Sequence, residues 1–134
     1  MTIRGLGGWR TLLDSARLTI PATPESGGLA RAWVRLTLGS VAGVRPVEYV
    51  TSELIAEALA QGAEGTISVD LIPSSGECTV VVISHERQRS RAVEATDLAE
   101  YPRLVVVDGL TESLEHRVEP DGLVIMRARI TWME

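Results

Sequence analysis

The chain has 134 residues, the length of one domain, with 45% hydrophobic and 23% charged side chains, which excludes global disorder. Its net charge of −5 excludes a nucleic-acid binder that relies on phosphate neutralisation. No apolar run approaches the ~20 residues that span a bilayer, the N-terminus lacks the apolar core of a secretion signal, and Cys78 is the single cysteine, so a soluble, cytoplasmic protein is expected.

Phe is absent and only 4% of residues are aromatic, so the core must rest on Val, Leu, Ile and Ala, with Trp9, Trp33 and Trp132 as large fillers. Residues 1–11 are rich in glycine and read as loosely ordered. Leu18 and Ile20 alternate with Arg17 and Thr19 near the end of a first strand, 12–20. Pro21 to Gly28 form a turn whose Thr23-Pro24-Glu25 has the composition of a helix start. Leu29, Ala32, Trp33 and Leu36 recur at helical spacing and predict a helix ending near Gly39. A second helix is expected from Pro46 to about Ala60, with Val47, Val50, Leu54 and Ala58 on its apolar face. On its flank Glu53 and Glu57 stand one turn apart.

Ile67, Val69 and Leu71 alternate with Ser68 and Asp70 in a strand. A turn at Pro73 to Gly76 joins it to an apolar strand over 79–83, which reads as central, with Cys78 buried at its head. Residues 84–102 are polar and without periodicity, so a loop is expected. Leu104 to Val107 is β-rich by propensity. Glu119-Pro120-Asp121-Gly122 is a turn before a last strand that alternates Val124, Met126, Ala128 and Ile130 with arginines and Thr131.

Ser52-Glu53-Leu54-Ile55-Ala56-Glu57-Ala58 resembles the first nucleotide motif, Ser-Glu-Leu-Val-x-Asn-Ala, of the anti-sigma-factor serine kinases in the GHKL (histidine-kinase-like) ATPase superfamily. Leu29-Ala30-Arg31-Ala32-Trp33-Val34 is similar to that family's first helix. The block from Leu104 to Trp132 looks like its last helix, hairpin and closing strand. The resemblance implies a two-layer α/β sandwich, a mixed and mostly antiparallel sheet of about five strands with three helices on one face. It also makes Leu104 to about Ser113 a helix, against the local β propensity. In the family, Glu53 would be the general base, and Glu57 stands where Asn holds Mg²⁺.

The family's other nucleotide motifs are replaced. His85 stands at the Asp that recognises adenine, and Arg87 at the Gly that lets the base approach. Tyr101-Pro102-Arg103-Leu104 matches Gly-x-Gly-Leu, whose N–H groups cradle phosphates, so Arg103 stands at a phosphate position. The resemblance therefore implies a regulator deficient in ATP binding, with no cofactor. It would associate with a protein such as a sigma factor, an anti-sigma antagonist or a second copy of itself. The alternative is an active Mg-ATP-dependent kinase or ATPase using Glu53 as base and Glu57 as metal ligand. Arg87, Arg89 and Arg91 form a basic cluster in the region of the family's ATP lid. His85 and His116 lack companions at zinc-ligand spacing.

Overall fold

The computed structural model describes residues 2–4, 15–86 and 101–133. The chain begins with β1 (Thr2–Arg4), β2 (Ala16–Pro21), α1 (Ser26–Leu38) and α2 (Val44–Ala60). The hairpin β3 (Ala63–Ser74) and β4 (Glu77–Glu86) follows, then α3 (Pro102–Gly109), β5 (Ser113–Val118) and β6 (Leu123–Thr131). The strands form one sheet in the order β1-β2-β3-β4-β6-β5. The helices pack on one face of it, α1 against β2, α2 against β3, β4 and β6, and α3 against β5. This is a two-layer α+β architecture. No helix among the described residues is long and apolar enough to cross a membrane.

Two expectations about the sheet need correction. It has six strands, because Thr2–Arg4, expected to be loose, pairs with β2. It is not mixed among the described residues: every pair is antiparallel. The connections explain this. Two helices in series bring the chain back to the end where β2 stopped, so β3 runs antiparallel to β2. The single helix α3 makes β5 run in the direction of β4, but β6 inserts between them.

Period-two alternation puts the rows Leu18–Val69–Val82–Met126–His116 and Ile20–Ile67–Ser84–Val124–Val118 on the helix side. The outer face carries Arg17, Asp70, Val81, Arg127 and Glu115 in one row. There Arg17 grips Asp70 bidentately, Nε to Oδ1 at 2.6 Å and Nη2 to Oδ2 at 2.8 Å. Cys78 is fully buried, and burial pushes its thiol up to about 12, so it stays protonated and unreactive at neutral pH.

The first helix starts at Ser26, later than the Thr23-Pro24-Glu25 start expected, and is turned. Ser26, not Thr23, closes the β2–α1 turn: its Oγ donates to the Pro21 carbonyl at 2.6 Å and accepts the Thr23 N–H at 3.0 Å. Of the four residues expected to share a face, only Trp33 is buried. Ala30, Val34 and Leu38 complete the buried arc, while Leu29 is 44% and Leu36 84% exposed. The helix carries two apolar stripes at helical spacing, and the bulk of Trp33 beside Val34 selects the buried one.

Trp132 closes the far end of the layer. Its N–H donates to the Gly76 carbonyl at 2.9 Å, and its ring lies so close to Gly43 that an added Cβ would overlap it. Gly43→Ala is therefore expected to displace the indole and cost about 1–3 kcal/mol. Urea denaturation checks this, and an unchanged midpoint would show that Trp132 is not held there.

Candidate functional site

The Glu53–Glu57 flank of α2 faces α3, and the reason is local. Val47, Val50, Thr51, Leu54, Ile55 and Ala58 are buried and orient the helix on the sheet. Glu53 and Glu57 follow on the edge of that stripe, and Gln61 lies one further turn on. α3 forms from a β-rich run because Leu104 and Val107, three residues apart, are both fully buried while Val105 and Val106 stay exposed. Burying one helical stripe overrides β propensity. Pro102 occupies the first helical position after Tyr101, where its fixed φ fits and no N–H is required.

Arg103, from the first turn of α3, reaches across to both acids. Its Nε lies 3.1 Å from Glu53 Oε2 and its Nη1 3.4 Å from Glu57 Oε1. Glu57 Oε2 accepts from Gln61 Nε2 at 3.0 Å. Gln61 Oε1 then faces His116 Nε2 at 3.2 Å. Because the Gln61 amide donates to Glu57, its oxygen is left to accept, so His116 carries its proton on Nε2. The His116 ring meets Tyr101 edge-on, with centroids 4.7 Å apart at 73°. A chain of polar contacts thus runs from Glu53 through Arg103, Glu57 and Gln61 to His116.

Exposure grades along this chain. The side chain of Glu57 is 8% exposed, that of Glu53 29% and that of Arg103 38%. Two like charges one helical turn apart repel by a few tenths of a kcal/mol, and a guanidinium between them reverses the sign. Glu53 can act as a general base only with a carboxylate oxygen within about 2.6–3.2 Å of the proton it takes. Its Oε2 is turned to Arg103. A Mg²⁺ ion on Glu53 and Glu57 would have to displace that guanidinium. Among the described residues no third His, Cys, Asp or Glu joins them in a group that could hold a metal.

The α3 N-terminus presents few donors. Pro102 has no N–H, and the Leu104 and Val105 N–H groups both donate to the Tyr101 carbonyl, at 2.9 and 3.1 Å. A phosphate there would find the Arg103 backbone N–H and a side chain already committed to two carboxylates.

His85 does not join the cluster. β4 extends to Glu86, and His85 lies on its outer, exposed face, opposite Glu53, Glu57 and Arg103. The neighbours turned to the helices are Ser84, whose buried hydroxyl has no partner among the described residues, and Glu86, 6% exposed. Arg87 lies outside the described residues, as do Arg89 and Arg91. No protein-family model and no curated protein sequence matches the chain.

Sequence reasoning did not place Gln61 or His116 at the site, nor Glu86 on the helix side of the sheet. Gln61 was legible as the i+4 partner of Glu57 at a helix end. His116 was legible from its parity with Leu114 and Val118, once the hairpin is fixed by the Glu119–Gly122 turn. Glu86 had no signal, because the strand was read as ending at Ile83.

Proposed function

We propose that this chain is a regulatory protein of the anti-sigma-factor kinase type that has given up nucleotide binding and acts by protein–protein association. A sigma factor or an anti-sigma antagonist is the kind of partner this reading calls for. The observation that carries it is Arg103. The residue at the family's phosphate position bridges both the general-base position and the metal position, so the cation of the site is supplied by the chain itself. The two-layer sandwich with helices on one sheet face is compatible with the GHKL type. The chain retains the acids on α2 and a helix after β4, in that order, which supports the resemblance.

A thermal-shift titration with Mg-ATP and Mg-ADP tests the reading. A nucleotide present at 100 times its Kd would stabilise the fold by about 2.7 kcal/mol. The expected result is no shift at millimolar nucleotide. A saturable shift in the micromolar range would overturn this reading, and transfer of phosphate from ATP to a protein substrate, lost in Glu53→Ala, would replace it with that of an active kinase or ATPase.

A further inference from the structure

A concave surface lies between α1 and α2, on the side of the helical layer away from the sheet. It is a groove of about 600 Å³ lined by Arg31, Arg35, Arg45, Glu48, Tyr49 and Ser52, with Glu53 at its border. It continues into a notch of about 240 Å³ whose walls include Pro24, Ala56 and Leu59. Arg31, Ser52 and Glu53 line both.

The charges in this groove do not balance. Glu48 is held by Arg35, Nε to Oε1 at 2.9 Å, and Glu53 is held by Arg103. Arg31 and Arg45 have no ion pair or hydrogen bond among the described residues. Every carboxylate of the groove is therefore neutralised from within, and two guanidinium groups are left over on a chain whose net charge is −5. The Arg31 guanidinium lies back along the first turn of α1, 3.6 Å from where a Cβ on Gly28 would stand, so it forms part of the wall.

We infer that the groove between α1 and α2 is a docking site for an acidic peptide segment of a partner protein. A carboxylate of the segment sits against Arg31 and Arg45, and an aliphatic side chain enters the notch beside Ala56 and Leu59. A planar guanidinium pairs with a carboxylate through two parallel hydrogen bonds, which gives geometry as well as attraction. The inference rests on the proposed association function and names the chemistry of the partner.

The test is fluorescence anisotropy with a labelled peptide of alternating Glu and Leu, compared with one of alternating Lys and Leu. The acidic peptide is expected to bind the intact chain and to weaken as salt is raised. Affinity should fall about tenfold or more in Arg31→Glu/Arg45→Glu and be largely kept in Arg31→Lys/Arg45→Lys. Neither arginine has a partner among the described residues, and circular dichroism confirms that the variants are folded. Several results would overturn the inference: no binding of the acidic peptide, equal binding of both peptides, or affinity untouched by the double reversal. So would displacement of the peptide by inorganic phosphate at similar affinity, which makes the site one for simple anions. A dimer in sedimentation that the double reversal dissolves would assign the groove to a second copy of the chain. The nucleotide titration is independent of these outcomes, so a bound Mg-ATP beside a peptide-binding groove would remove the proposed function and leave the groove.

Discussion

Replacing Arg103 by Ala is expected to lower stability by about 2 kcal/mol, or on the order of 6–8 °C in Tm for a domain of this size. The magnitude follows from what is left behind. Arg103 is itself 38% exposed, so its pair with the half-exposed Glu53 is screened and contributes at most a few tenths of a kcal/mol to one. Glu57 is different: its side chain is 8% exposed, and without Arg103 the one donor shown on its carboxylate is the Gln61 amide. A buried charge stripped of its cation costs more than the lost bond alone. Arg103→Ala combined with Glu57→Gln should therefore recover most of the loss, since a neutral amide needs no cation. Arg103→Ala with Glu53→Gln should recover little, because Glu53 still reaches water. Guanidinium denaturation of the three variants decides it. Equal recovery by both second substitutions, or an Arg103→Ala variant within ~0.5 kcal/mol of the parent, would show that the bridge carries no such weight.

Much of the architecture was legible because strong periodicity and turn chemistry agree. Val47, Val50, Leu54 and Ala58 are buried as the helical stripe required, and Val124, Met126, Ala128 and Ile130 as the alternation required. Gly122 closes the expected turn with φ 95°, and Asp121 Oδ1 accepts the Leu123 N–H at 3.1 Å. Boundaries were less legible. β3 and β4 each run several residues beyond the segments read from the sequence, since a hairpin ladder continues through polar residues as long as the backbone stays paired. The phase of α1 was not legible because Leu29, Ala32 and Leu36 recur at helical spacing just as Ala30, Val34 and Leu38 do. Spacing fixes a helix, but when two stripes compete only packing chooses the buried one.

At the site the local part was legible and the long-range part was not. Glu53 and Glu57 could be placed on one flank of α2 because four residues make about one turn. Arg103 lies 46 positions from Glu57, and nothing in the intervening sequence says that α3 will lay its first turn across them. The face taken by His85 was not legible for a different reason. β4 is apolar on both faces, so alternation carried no information about which side Ser84, His85 and Glu86 would take. Pairing with β6 fixes that choice, Ser84 opposite Val124 and His85 opposite Leu123, and it turns His85 away from the helices.

Gly122→Ala is expected to cost about 3 kcal/mol, the largest loss of any single methyl addition considered for this chain. Two separate penalties meet there. The backbone is at φ 95°, where a Cβ is disfavoured by roughly 1–2 kcal/mol. The added Cβ would also stand 2.6 Å from the Glu86 carbonyl oxygen, closer than carbon and oxygen pack. That carbonyl cannot easily yield, because the Glu86 N–H donates to the Gly122 carbonyl at 2.9 Å and the Gly122 N–H to the Glu119 carbonyl at 3.0 Å. Gly62→Ala separates the two penalties: φ there is 93°, yet nothing lies within 4 Å of the added Cβ, so only the conformational cost remains. Gly122→Ala should exceed Gly62→Ala by about 1–2 kcal/mol in urea denaturation. Hydrogen exchange should show the Glu86 amide losing more protection than that of Val80, deep in the same strand, because the clash opens the end of β4 first. Equal losses in the two alanine variants would mean that the β5–β6 turn does not press on the end of β4, and the register that places Glu86 on the helix side would have to be redrawn.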